Sequence, residues 1–510
     1  MNHSRSHLYL LGSFVAGFSI MTVELISSRI IAPILGNSLF TWTSVIGVTL
    51  LGLALGSFWG GKIADKSGWK RQLPIVFLLA AVFISIIPLL TKHIDFLLNI
   101  SNSIVTLNLL VSFYLFLPSA IIIGFIQPII LKRYALNFSH IGSEYGYLST
   151  VWSLGSILGV FLTGFFFISH IGSNETLWLI SGILFIGAIL FTDKNKENVL
   201  LLFFILLLLL SSFILGNNQT KSPLVLFEKE TNYYMAKVAD VTLPNLGPAR
   251  ILLLDGDMHS ADPTTKDDPN FYPALYPVFS IFNQNIKKIL VIGGGAYTMP
   301  KYFTEGYPHA STSVIEIDPE LVTISDEYFD LKNYNIDTKI GDARIILEKD
   351  PEKYDLIFGD AYNSYISVPW HLLTVEWNNK VKTRLNDGGI YAINFIGTMQ
   401  GPGSEFTESI LSTFKKTFPN YYIFAMDKNP EDIQNIIIVG INSTGHENER
   451  SVYEKIFSQD SFFLSEKLVL KPSLPEGIIL TDDFSPVEQL MKPIVQEYFP
   501  LNMVFLKKFQ

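Results

Sequence analysis

Two patterns of hydrophobic and polar positions divide this chain. Up to about residue 215 the apolar positions form long, nearly unbroken runs. Beyond residue 217 they form short runs separated by Pro, Asp, Asn, Lys and Gly. A transmembrane helix needs about 20 predominantly apolar residues. Seven segments reach or approach that length: Leu8–Ile34, Phe40–Gly60, Leu73–Thr91, Ile104–Leu131, Tyr147–Ser169, Thr176–Phe191 and Val199–Leu215. The last, VLLLFFILLLLLSSFIL, is apolar on every face. In the second, Gly52, Gly56 and Gly60 recur at four-residue spacing. That small-residue stripe predicts close approach of helix backbones within a bundle.

The second half reads differently. Residues 224–282 predict a small β lead-in of short strands and turns, interrupted by Pro244, Gly247 and Pro248. From Lys287, apolar strands alternate with helices. KKILVIGGG, TSVIEID, TKIGDARIIL, YDLIFGDAY, GGIYAINFI and NIIIVGIN read as strands, with helices starting at Tyr297–Glu305 and running through Leu321–Tyr328. Such alternation implies βαβ units and a mostly parallel, doubly wound sheet. The expected architecture is therefore an α-helical membrane bundle of about seven spans over residues 1–216, a β lead-in over 217–286, and a Rossmann-like α/β domain over 287–510.

Charge sharpens the picture. Only 16% of the 510 residues are charged, well below the roughly 25% of soluble domains. A net charge of −9 argues against nucleic acid as a partner, since phosphate binding needs basic patches. There are no cysteines, which excludes disulfides and thiolate chemistry. The histidines are scattered without HExxH spacing, so no metal is expected. Within the first span, Glu24 and Arg29 lie about 140° apart around a helix and do not pair well. A structural hydrogen bond and a substrate role both remain open for Glu24. Arg5, Lys62, Lys66, Lys70, Arg71, Lys132, Arg133, Lys194 and Lys196 cluster on the N-terminal side of the spans, against Lys92 alone opposite. By the positive-inside rule the N-terminus is cytoplasmic, and seven spans then place the second half outside. A cytosolic cofactor would favour the other side, so the expectation is a multi-pass protein of the cell membrane, in contact with lipid, with that side open.

The candidate chemistry sits at the strand ends. In doubly wound sheets, ligands bind at the carboxyl ends of strands near the point where strand order reverses. Gly293, Gly294 and Gly295 end the first strand, where backbone amides can meet polar or anionic groups. Glu316 ends the second, where a carboxylate can accept two ribose hydroxyls. Asp342 and Ala343 follow the third, and Asp360 ends the fourth. The turn lacks G-x-G-x-x-G spacing because position 298 is Thr, and no P-loop is present. Adenosine without pyrophosphate fits this set, so S-adenosylmethionine or its decarboxylated form is the expected co-substrate.

The chain resembles the spermidine synthase (polyamine aminopropyltransferase) family, in particular its membrane-fused members. The resemblance rests on RIIAPILGNSLFTWTSVIGVTLLGLALGSFWGGKIAD in the first half. In the second it rests on ETNYY, LLLDGDMHS, VIGGGAYTMP, VIEIDP, GDAR, DLIFGDAY, VPWHLLTVEW and LTDDFSPVE. It implies aminopropyl transfer from decarboxylated S-adenosylmethionine to putrescine or a related small amine, with Asp360 as proton acceptor. It further implies Glu316 as ribose ligand, Asp342 and Ala343 as adenine contacts, Tyr234, His259, Tyr272 and Asn363 at the amine, and a homo-oligomer. The chain departs from the family pattern at Ala296, Asn363, His259 and Pro273-Ala274, where the family has Asp, Asp, Gln and His-Glu. These departures leave the acceptor open. Asp482 and Asp483 are candidates for restoring acidity near the site, and Asp257, Asp262, Asp267 and Asp268 form an acidic loop. Two alternatives stay beside the aminopropyltransferase: an S-adenosylmethionine-dependent methyltransferase, and a non-catalytic transporter or receptor with a nucleoside- or polyamine-binding domain.

Overall fold

The structure is a computed structural model. It describes residues 3–66, 72–101, 103–134, 140–192, 196–217, 222–244, 246–263, 271–362, 365, 368–443, 454, 456–457, 462–469, 474–506 and 509. The chain divides into two compact units, Met1–Lys221 and Ser222–Gln510.

The first unit is helical. Among the described residues, seven helices are long and apolar enough to cross a membrane: Ser6–Leu35, Leu39–Ala64, Gln72–His93, Leu117–Tyr134, Ile141–His170, Ser173–Phe191 and Val199–Gly216. The expected continuous span Ile104–Leu131 is instead three helices, Ile104–Leu115, Leu117–Gly124 and Ile126–Tyr134. Pro118 opens the second and Pro128 lies in the third, and each lacks the N–H that a continuous helix would use. The fifth span starts earlier than its apolar run and carries a π-helical turn at Thr163–Phe167.

The glycine stripe does what its spacing implies. Gly52, Gly56 and Gly60 are buried. A Cβ on Gly52 would press on Ala120, and one on Gly56 would overlap the Ile121 carbonyl. Gly155 meets the Phe14 carbonyl in the same way. Within this unit, Lys132 pairs with Asp65 at 2.8 Å, joining the last turns of the second and fourth spans. Lys92 Nζ donates to the carbonyls of Leu215 and Gly216 at 3.0 Å each, joining the ends of the third and seventh. The third span runs from the Asp65 end to Lys92, so the chain leaves the bundle at the end remote from Lys132.

The second unit opens with a four-stranded antiparallel sheet in sequential order: β1 (Val225–Glu230), β2 (Met235–Leu243), β3 (Gly247–Leu254) and β4 (Asp257–Pro263). An eight-stranded sheet follows, built from β5 (Lys288–Ile292), β6 (Ser311–Glu316), β7 (Ile336–Ile340), β8 (Tyr354–Tyr362), β9 (Leu385–Gly397), β10 (Tyr421–Ala425), β11 (Gln434–Ile441) and β12 (Leu468–Val469). Its spatial order is β7-β6-β5-β8-β9-β11-β10-β12. Strands β5 to β9 pair in parallel, and β11 inserts antiparallel beside β9. Order reverses between β5 and β8, so the carboxyl ends of β5, β6 and β8 frame the crevice.

Burial explains the near-continuous apolar strands. Ile289, Leu290, Val291, Leu356, Ile357 and Phe358 are fully buried because helices cover both faces of the parallel sheet. Phe303 from the helix Thr298–Gly306 packs on Phe358 edge-on, with centroids 5.5 Å apart. Two local expectations change here. Tyr297 does not begin the helix; it caps it in the left-handed region at φ 58°. The segment TKIGDARIIL is not one strand: β7 stops at Ile340 and Ala343–Lys349 is a helix. Asp342 caps that helix, accepting the N–H groups of Arg344 and Ile345.

Candidate active site

The first strand end is a turn whose amides are already used. Gly293 N–H donates to Ile315 O at 2.9 Å. Gly294 and Gly295 donate to Glu316 Oε2 at 2.7 and 3.3 Å, and Ala296 donates to Ser260 Oγ at 3.1 Å. The anionic group that the Gly294 and Gly295 amides meet in this structure is the Glu316 carboxylate. A phosphate cradle needs N–H groups free to point at the ligand, and here a buried carboxylate takes their place. Two glycines are needed by the geometry. Gly293 sits at φ 94°, and a Cβ there would lie 3.0 Å from the Ala361 backbone. Gly294 leaves room for the Tyr297 ring, which a Cβ would meet at 2.8 Å. Tyr297 in turn ties to Thr338 by its hydroxyl at 3.1 Å.

Glu316 is 4% exposed. Its other oxygen accepts the Asp318 N–H at 2.9 Å. Burial pushes its carboxyl above the usual range, and the three backbone N–H groups oppose that rise. A carboxylate carries about four acceptor positions, so lone pairs remain for hydroxyls. Asp342 spends Oδ1 on capping and holds Oδ2 3.6 Å from His371 Nε2. Ala343 is buried in the first turn of that helix.

Asp360 lies where β8 bulges. Gly359 pairs with Ile393 and Tyr362 with Phe395, so Asp360 and Ala361 together oppose Asn394 alone. A bulge re-aims the side chains at that point. Asp360 Oδ1 accepts Asn394 Nδ2 at 2.8 Å, and Oδ2 accepts the Tyr272 hydroxyl at 2.8 Å. Burial lifts the carboxyl to about 7, against the pull of these two hydrogen bonds. Burial and the adjacent Asp360 also raise the Tyr272 hydroxyl well above its ordinary value, so it stays a donor.

Tyr234 and His259 stand together, ring centroids 6.2 Å apart. Burial, then the charge of Glu316, raises the Tyr234 hydroxyl. His259 lies in strand β4, and burial lowers it to about 4. It is a neutral ring at physiological pH. Asn363, Asp267 and Asp268 lie outside the described residues.

The other acidic candidates are occupied elsewhere. Asp482 accepts Arg344 at 2.6 Å and Thr374 at 2.8 Å, and the Arg344 hydrogen bond holds its carboxyl below the usual range. Its charge acts on His371, beside Asp342. Asp262 pairs with Lys301 at 2.5 Å. Asp257 is buried and accepts the Tyr365 N–H at 2.8 Å. Among the described residues no cluster of His, Asp and Glu has the geometry of a metal site. Sequence reasoning missed Asn394 and Ser260. Asn394 is a fully buried amide inside the otherwise apolar run from Ile390 to Ile396, which was a usable signal.

The strand order, with Glu316, Asp342 and Asp360 at or just past the carboxyl ends of β6, β7 and β8, defines a Rossmann-like α/β unit. No family model matches the chain. It is similar to the polyamine aminopropyltransferase of Vibrio vulnificus, with 28% identity over 224 residues, 41% of this chain and 72% of that protein. It is also similar to polyamine aminopropyltransferase 2 of Aquifex aeolicus, with 23% identity over 426 residues, 79% of this chain and 81% of that protein. That match is longer than Ser222–Gln510, so it extends into the helical half. Among solved structures, a probable spermidine synthase from Corynebacterium glutamicum aligns with a TM-score of 0.37 at 22% identity, covering 46% of this chain and 86% of that one. The chain thus resembles the polyamine aminopropyltransferases through both of its halves.

Proposed function

We propose that this chain is a membrane-bound aminopropyltransferase that moves an aminopropyl group from decarboxylated S-adenosylmethionine to a small amine, with Asp360 as the base. The observation that carries the reading is the Asp360 carboxylate, held by Tyr272 and Asn394 at the switch point beside the Gly293 turn. The names of the relatives support aminopropyl transfer as the class of reaction.

The residues fit a nucleoside that carries no phosphate. Glu316 consumes the turn amides and offers its remaining lone pairs to ribose hydroxyls, while Asp342 Oδ2 and Ala343 line the adenine end. The donor supplies an alkyl carbon activated by a sulfonium. An amine attacks such a carbon only as the free base. Asp360, raised to about 7 by burial, is matched to taking that proton near neutral pH. Tyr272 and Asn394 keep its oxygens oriented. His259, neutral at this pH, leaves an incoming ammonium unopposed. The apolar helices of the first unit support insertion in the cell membrane. The exit of the chain at the Lys92 end, remote from the basic loops, supports the outward side for the second unit.

Methyl transfer is a second reading, and Ala296 favours it. No carboxylate stands there for a donor propylamine, and the Ala296 N–H is spent on Ser260. The deciding experiment offers the purified full chain labelled S-adenosylmethionine and its decarboxylated form with a panel of mono-, di- and triamines. Label passing to an amine from the decarboxylated form alone supports aminopropyl transfer. Label passing only from S-adenosylmethionine establishes the methyltransferase. Binding of either form without turnover establishes the non-catalytic alternative.

A further inference from the structure

Asp360 does not hold its hydrogen bond to Asn394 in isolation. Asn394 and Asn435 lie on neighbouring antiparallel strands, with Asn435 facing Ile396 and Asn394 facing Ile437 in the ladder. They are diagonal neighbours on one face, and Asn435 Nδ2 donates to Asn394 Oδ1 at 3.0 Å. Asn394 Nδ2 donates onward to Asp360 Oδ1 at 2.8 Å. Asn394 is fully buried, so solvent cannot replace either partner.

A side-chain amide has one donor end and one acceptor end. With its oxygen held by Asn435, Asn394 must present N–H to Asp360. Reversed, it would present a carbonyl oxygen to a carboxylate oxygen, which repels the ionised form. The orientation of one buried amide therefore decides whether the carboxylate is supported or opposed. We propose that Asn435 is a positioning residue for proton transfer, acting through Asn394 to keep Asp360 in the ionised, accepting form. This rests on the reading of Asp360 as the base.

Among the described residues, Tyr272 and Asn394 hydrogen-bond to the Asp360 carboxyl. Tyr272 faces it from the 3₁₀ segment Tyr272–Val278 and is titratable, but stays protonated. Asn394 faces it from β9 and is neutral. Among the described residues no charged side chain adds to the shift of this carboxyl, so the amide pair has no competing charge to mask it.

The test is the pH profile of kcat in the full chain, with the donor and amine that the labelling assay identifies. Asn435→Ala frees the Asn394 amide to turn. The acidic limb is expected to move to higher pH by about one unit, a tenfold loss of ionised base below the limb, with KM for the donor unchanged. Asn435→Asp is nearly isosteric and only accepts when ionised. It draws the Asn394 N–H to itself, so a larger upward shift is expected from a chain of unchanged packing. In an Asn394→Ala background, Asn435→Ala should add no further shift, because the residue it acts through is gone. An acidic limb at the wild-type pH in both Asn435 variants overturns the proposal. So does an Asn435→Ala shift that persists in full without Asn394. Full activity in Asp360→Asn would instead sink the base assignment itself, so the two failures are distinguishable.

Discussion

Replacing Asp360 with Asn removes the proposed base while keeping its shape. The substitution disturbs little around it. Tyr272 donates to one carboxylate oxygen and Asn394 to the other, and an Asn side chain keeps one acceptor for Asn394. The Tyr272 hydroxyl can rotate to accept from the new amide. Glu316 and the turn from Gly293 to Ala296 keep all their hydrogen bonds, because none involves Asp360. The loss is therefore confined to proton transfer. A positioned general base contributes about 10²- to 10⁴-fold, which is roughly 3–5 kcal/mol in the barrier. Steady-state turnover with labelled donor should fall by that factor, while donor affinity measured by calorimetry stays within about threefold. The wild-type profile carries a second signature. A base acts only when ionised, and burial raises this carboxyl to about 7, so activity should fall as pH drops through about 7. The Asn variant should lack that limb. A variant within tenfold of wild-type turnover, or a wild-type profile flat from pH 5 to 8, would falsify the assignment.

Other expectations follow from the same geometry. Glu316→Gln brings an NH₂ group against a backbone N–H of Gly294 or Asp318. Donor affinity should drop about 10- to 100-fold, from the loss of roughly 1–3 kcal/mol at a buried unsatisfied donor. Calorimetry reading unchanged affinity would remove Glu316 from the nucleoside site. In the helical unit, Gly56→Val drives a side chain into the Ile121 carbonyl. It should lower the melting temperature in detergent, consistent with about 1–3 kcal/mol for overpacking, whereas Gly47→Val, with open space around it, should not. Equal melting of both variants would show that the glycine stripe carries no packing. A protease-cleavable tag after Gln510 should be cut in intact cells, since the chain leaves the bundle at the Lys92 end. A protected tag would overturn the outward orientation.

Much of the candidate site was legible because doubly wound sheets place their strand ends by rule. Strands β6 and β8 read as apolar runs with a carboxylate at or near their carboxyl ends, and the carboxyl ends of such strands are where ligands bind. Glu316 and Asp360 follow directly. The use of the turn amides was not legible, because whether an N–H faces a ligand or a carboxylate depends on the rotamer of Glu316, 22 positions away from Gly294. Nor was the fate of Asp482. An acidic pair before a proline looks the same whether it faces a substrate or an arginine, and only folding brings Arg344 within 2.6 Å. The broken fourth span had a signal in Pro118 and Pro128, which the length of the apolar run obscured.

By itself, the sequence determined what depends on period and composition. It set apolar runs long enough to cross a membrane, a glycine stripe for close helix packing, and alternating strands and helices with carboxylates at the strand ends. These are local properties, decided by side-chain chemistry and repeat spacing. The tertiary structure decided what depends on pairing across the sheet. One extra residue at the β8 bulge turns Asp360 toward Asn394, and the antiparallel insertion of β11 brings Asn435 behind it. Both follow from register between strands far apart in the chain, and a hydrogen bond acts only over the few ångströms that register sets.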